Sequence, residues 1–264
     1  MKKRWRVSLT IAAVIAILFS IRIGIDPTIK SQGEQPNLQR MLAYEKWKNQ
    51  FKLKCKEAGE QIHRTVDSVE GVLLLRIRDL ESWRQQQYSQ DWPDAGLPRE
   101  RLGEDYIRSF LLNEHPLEGP SRRGILRGER AENSSPGYEF VDIQQAGTIE
   151  RYRLSPDFPY SLVSVGNPAN PARYAVTFYN DIDQGTREGW IAGTRVEVID
   201  TRDRKVIASK SWYAFDPGLG DQMGGRQPWA FAEQCPEHQG AYRGAQTRMF
   251  VDTVLKPRRR PDVK

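Results

Sequence analysis

Residues 7–25 (VSLTIAAVIAILFSIRIGI) form one apolar run directly behind the basic head Met1-Lys2-Lys3-Arg4-Trp5-Arg6. At 1.5 Å of rise per residue, about 20 such residues cross the hydrocarbon core of a bilayer, so the run reads as a transmembrane helix. Arg22 sits three residues from its far border, where a long cationic side chain snorkels to the headgroups at modest cost. The alternative is a cleaved signal peptide with its apolar block over residues 7–21. Ser20 and Gly24 are poorly spaced for a small-x-small cleavage site. Lys2, Lys3, Arg4 and Arg6 orient the N-terminus to the cytoplasm by the positive-inside bias. The expected location is therefore the inner membrane, single-pass, with the C-terminal domain in the periplasm of a Gram-negative envelope.

What remains, about 240 residues, is enough for one domain with a real core. The formal charge of +6 and pI near 9.3 suggest a nucleic-acid or anionic-lipid binder, so the placement of the charge decides. Residues 1–25 hold five basic side chains and no acid, and residues 256–264 hold a net four positive charges, which leaves the body between them at about −3. No nucleic-acid partner is expected for such a body. The Arg258-Arg259-Arg260 tail reads as a disordered basic end.

Two cysteines, Cys55 and Cys235, in an exported chain predict a disulfide. The competing use of the same atoms is a zinc site of Cys55, His63, Cys235 and His238. The spacing from Cys55 to His63 matches no familiar zinc-finger pattern, and an oxidising compartment favours the disulfide.

The chain divides into a cytoplasmic head (1–6), the anchor (7–25), a polar tether with Gly33 and prolines (26–36), an exported domain (37–255) and the basic tail (256–264). Asn37 can cap a helix whose stripe is Trp47, Phe51, Cys55, Ala58 and Ile62. Residues 69–77 read as a buried strand, 91–98 as a loop, 103–112 as a short helix and 113–137 as a long Gly/Pro/Ser/Arg-rich loop. Residues 138–143 and 148–154 form an expected hairpin, Tyr174, Val176 and Phe178 line one face of a strand, and 191–199 and 205–213 flank a second hairpin turn. Phe250 to Leu255 reads as a helical turn or a strand. The class is α+β, with an antiparallel sheet and a few helices behind the membrane helix.

Signs of chemistry are sparse. Gly218-Leu219-Gly220-Asp221-Gln222-Met223-Gly224-Gly225 resembles a phosphate cradle only superficially, lacking both dinucleotide spacing and a nucleotide-loop lysine. Asp181 and Asp183 open like a calcium loop, but Gly185 and Ala192 stand where oxygen ligands belong, so a turn is expected. No G-x-S-x-G elbow occurs. Trp190, Trp212, Tyr213 and Trp229 read as core aromatics ahead of a ligand groove. No catalytic residue and no cofactor is nominated.

Three stretches together resemble a family of membrane-anchored or lipoprotein-like exported proteins of proteobacteria with no assigned activity. They are Ala58-Gly59-Glu60-Gln61-Ile62 followed by Val69-Glu70-Gly71-Val72; Arg187-Glu188-Gly189-Trp190-Ile191-Ala192-Gly193; and Pro228-Trp229 with Cys235-Pro236 ahead of Phe250-Val251-Asp252-Thr253-Val254-Leu255-Lys256-Pro257. The resemblance implies an envelope location and a common fold, and it supplies no functional residues. The expected function is a membrane-anchored binding or protein-interaction module of unknown ligand, acting as an envelope or secretion-associated protective partner; the alternative is an envelope hydrolase or metal-dependent enzyme using His63 or His238.

Overall fold

A computed structural model of the chain describes residues 27–112, 136–158, 161–181, 183–237 and 245–258, with side chains from residue 38 onward. The apolar run 7–25 lies outside them, as does most of the expected loop at 113–137. Among the described residues no helix is long and apolar enough to cross a membrane. The chain separates into two units, residues 1–46 and 47–264. In the first, the described part is helix α1, Pro27–Glu57, whose 31 residues continue into the second.

Residues 27–36, expected as a tether, are therefore helical, and Asn37 lies within the helix and does not cap it. Gly33 and Pro36, ordinarily breakers, both lie inside this helix, among the helix formers Lys30, Gln32, Glu34 and Gln35. At the other end the expected stripe overruns the helix. Gly59, at φ 124°, takes a backbone conformation that side chains rarely permit and turns the chain into strand β1, Gly59–Ile62. Phe51 is buried, whereas Ile62 is exposed.

The remaining strands are β2 (Val66–Val69), β3 (Gly71–Leu74), β4 (Phe140–Gln145), β5 (Thr148–Leu154), β6 (Leu162–Gly166), β7 (Tyr174–Asp181), β8 (Ile191–Asp200), β9 (Lys205–Phe215), β10 (Glu233–Cys235) and β11 (Leu255–Pro257). Nine of the described strands make one sheet in the order β1-β9-β8-β7-β3-β4-β5-β6, with β10 also on β9. Its pairings are antiparallel except around β3, which runs parallel to both β4 and β7. The expected antiparallel sheet is thus mixed. Long connections separate β3 from both neighbours in sequence, and connections of that length permit parallel pairing where a tight turn cannot. A separate parallel pair joins β2 and β11.

The hairpins follow their turn residues. Ala146 and Gly147, both at positive φ, form the two-residue link between β4 and β5, matching the twist of the flanking strands. Strands β8 and β9 pair from Ile191↔Phe215 to Asp200↔Lys205.

One face of the sheet, with Val72, Leu74, Val141, Val176, Phe178, Val196 and Val198, is covered by α3 (Gly103–Leu111) and α5 (Gln246–Val254), which contribute Ile107, Phe110, Phe250, Val251 and Val254. On the other face Leu73, Phe140 and Ala175 pack with Ala172, and Phe51 of α1 stacks on Phe215 at 5.5 Å between ring centroids. Strand β7 is thereby buried on both faces from Tyr174 to Phe178. The shorter helices are α2 (Leu80–Gln86) and α4 (Gln184–Arg187).

Two segments meet on the outer edge of β9: Gly59 opposes Ser211 and Cys235 opposes Tyr213. That brings the end of α1 to the end of β10, where Cys55 and Cys235 form a disulfide with their Cα atoms 5.5 Å apart. The start of the expected disordered tail is ordered. Leu255–Pro257 is β11, the Arg258 amide donates to Val69 O at 2.9 Å, and its guanidinium pairs with Glu70 and Glu139.

Candidate functional site

Both sulfurs of the zinc alternative are consumed by the disulfide, so Cys55 and Cys235 cannot ligate a metal. His63 is exposed, with its amide donating to Ile207 O, and His238 lies outside the described residues. Among the described residues no group of three or more metal-ligating side chains gathers.

Asp181 and Asp183 build a turn. Asp181 Oδ1 accepts the Asp183 amide at 3.0 Å, and Asp183 Oδ2 accepts both Thr186 N at 2.9 Å and Thr186 Oγ1 at 2.6 Å, capping α4. These bonds to Thr186 hold the Asp183 carboxyl below its ordinary range. Beside this cap lies a cleft of about 360 Å³ lined by Trp47, Gln50, Lys54, Asp183, Thr186 and Ile191. The Trp47 indole lies against Gly189, where a Cβ would come within 2.1 Å of the ring.

The glycine-rich loop has an internal anion. Asp216, fully buried, accepts the amides of Gly218 at 3.1 Å and Gly220 at 2.8 Å and is gripped by both Nη atoms of Arg226. Arg226 also donates to Asp221 O at 3.0 Å. Gly220, at φ 83°, closes on the Trp190 indole so tightly that a Cβ would lie 2.2 Å from it. The backbone amides that resembled a phosphate cradle therefore bind the chain's own carboxylate.

This clamped loop and the Pro228–Phe231 turn that follows it carry apolar side chains outward. Met223 is 82% exposed and Phe231 60% exposed, with the Arg226 guanidinium 5.3 Å from the Phe231 ring centroid. Tyr88 borders them, accepting Gln222 Nε2 at its carbonyl and Gln227 Nε2 at its hydroxyl, each at 3.1 Å. Beneath, Trp190 and Trp229 pack 5.3 Å apart, and Trp229 Nε1 donates to Ser89 O at 2.8 Å. The four aromatics expected as one group divide: Trp212 packs edge-on against Phe250, and the Tyr213 ring lies under Lys54.

Titratable groups are also buried between the core layers. Arg78 Nη1 donates to Asp94 Oδ1 at 2.9 Å, Asn180 Nδ2 donates to the same oxygen at 2.8 Å, and Thr194 Oγ1 donates to Asn180 Oδ1 at 3.2 Å. Glu100 accepts the Thr247 amide at 2.7 Å and the Arg101 amide at 3.0 Å. Burial raises the Glu100 carboxyl above its usual range, with nearby Arg78 opposing. Arg187, also buried, donates to the carbonyls of Gln90 and Asp181, each at 3.1 Å, and burial lowers its affinity for its proton. Closed off from solvent, these groups link elements of the fold. The sequence reading did not identify them: arginine is ordinarily a surface residue, and only the Asp-Pro-Gly-x-Gly run ahead of Arg226 hints at an internal clamp.

The chain matches no protein-family model, no curated protein and no solved structure.

Proposed function

We propose that this chain is an exported, membrane-anchored module that binds a protein partner in the cell envelope through the loop around Met223 and Phe231. The observation that carries the reading is a rigid loop displaying apolar side chains to solvent. Asp216 and Arg226 fix the backbone around Met223, and Arg99 holds the carbonyls of Ala230 and Ala232 beside Phe231, so little conformational entropy is lost when a partner covers them. Aromatic residues, methionine and arginine are the types enriched at interface centres, and Met223, Phe231, Tyr88 and Arg226 supply them on one surface. The apolar run 7–25 and the resemblance to exported envelope proteins support the location.

The test is crosslinking in intact cells followed by purification of the full chain. A single stoichiometric protein partner is expected, reduced at least tenfold by Met223→Asp combined with Phe231→Asp. A partner retained by that variant, or none on the wild-type chain, would sink this reading.

A further inference from the structure

The turn between β8 and β9 gathers positive charge at the end of the sheet away from the loop surface. Ten-residue β8 separates its own ends by about 30 Å. Ile191 lies at the cleft end and Asp200 at the turn. Arg202, Arg204 and Lys205 are exposed on or beside the turn, and Arg64 and Arg173 flank it, their side chains 44% and 38% exposed. Against these five cations stand Asp200 and Asp203.

Of the two acids only Asp203 faces solvent, so the exposed charge of the face is predominantly positive. Asp200 is buried and takes Arg173 through both oxygens, at 2.9 and 2.6 Å, together with Arg64 and the Arg202 amide. Asp203 Oδ1 accepts the Lys205 amide at 3.2 Å. Thr201 donates from its amide at 3.0 Å and its hydroxyl at 2.7 Å to Arg173 O, which fastens the turn to the preceding strand. The Arg64 amide donates to Ile207 O on the other side. A body of net charge near −3 thus holds a fixed cationic face.

We propose that this face is a docking site for an acidic polypeptide segment, whose carboxylates are received by Arg202, Arg204 and Lys205 with Arg64 and Arg173 at the rim. Four of the five cations are arginines, whose planar fork suits carboxylate pairing. Double-stranded nucleic acid demands a longer basic track than one turn provides on a net-acidic body. A lipid surface is favoured by several apolar side chains among the cations, whereas residues 201–205 include none and the neighbouring Val206 is a single small one, 38% exposed. The face is separate from the Met223 and Phe231 surface and does not rest on it.

The experiment titrates the full chain, in neutral detergent, with three probes: a labelled glutamate-rich peptide, phosphatidylglycerol vesicles and a single-stranded oligonucleotide. Expected is salt-sensitive peptide binding that falls roughly tenfold or more in R202E/R204E/K205E and remains unchanged in R84E, which reverses an exposed charge on α2. The neutral variant R202Q/R204Q/K205Q should show an intermediate loss, with melting curves confirming that each variant is folded. Wild-type chain that fails to bind the peptide, or a folded charge-reversed variant that binds it undiminished, overturns the proposal. Tighter binding of vesicles or oligonucleotide through the same three residues overturns it in favour of that ligand.

Discussion

Arg248 and Asp252 lie one turn apart on α5, both buried, with Nε donating to Oδ1 at 2.6 Å. The rest of the guanidinium reaches the carbonyls of Ser109, Leu112 and Pro136, so one side chain ties the end of α3 to the point where the chain returns before β4. Close packing reinforces the junction: a Cβ on Gly137 would lie 1.8 Å from Leu111 O, and the Tyr138 amide donates to Phe110 O at 2.9 Å.

Arg248→Met leaves the Asp252 charge buried with its ion pair broken. The expected loss is about 3–5 kcal/mol in urea unfolding, with faster hydrogen exchange at the Tyr138 amide. Arg248→Met combined with Asp252→Leu should recover a good part of that loss. A single variant as stable as wild type would show that the junction is not held by this pair.

Replacing Cys55 and Cys235 with serine opens a loop of 180 residues. The chain-entropy model gives a loss of about 5 kcal/mol, read as the difference between wild-type and variant urea midpoints at matched slope. Reductant should bring wild type to the variant's midpoint and leave the variant unmoved.

The pH dependence has two limbs of known sign. Hydrogen bonding by Arg173, aided by Arg64, lowers the Asp200 carboxyl beneath its ordinary 3.8, so its contribution is present above that value and lost as pH falls through the folded one. Burial raises Glu100 above its ordinary 4.5, so the folded state retains this proton longer and stability declines as pH rises from 4.5 to the folded value. Urea midpoints from about pH 2 to 8 should therefore pass through a maximum on the acid side. Glu100→Gln should flatten the decline toward neutrality, and Asp200→Asn should shrink the acid limb.

Asp216→Asn removes the charge from the centre of the 218–226 loop and leaves Arg226 without its carboxylate. Because Arg226 is partly exposed, the expected loss is about 1–3 kcal/mol, smaller than for Arg248. Limited proteolysis should cut this loop first. Unchanged cleavage would show that the glycine backbone holds its shape without the carboxylate.

Local pattern made some of this fold readable. Val196 and Val198 alternate with Glu197 beside an Asp/Thr/Arg turn, and the β8–β9 pairing follows directly. Gly103–Leu111 and the link at Ala146 and Gly147 are likewise local signals. Strand β6 was missed because it is short and mostly exposed, with Val163 and Val165 facing solvent at the sheet edge. The parallel neighbours of β3 were hidden because four consecutive apolar residues reveal burial and not direction. At the candidate surface, the glycines were visible, but their partner Asp216 was not, since a buried carboxylate and a solvated one look alike in sequence.

Strand β3 stands between β7 and β4 at the heart of the sheet, yet both neighbours come much later in the chain. Synthesis from the N-terminus presents Gly-Val-Leu-Leu well before either flanking strand exists to cover it. The centre of the finished sheet is thus an early, uncovered apolar segment while the chain folds, a source of wrong pairings that the mature protein no longer offers.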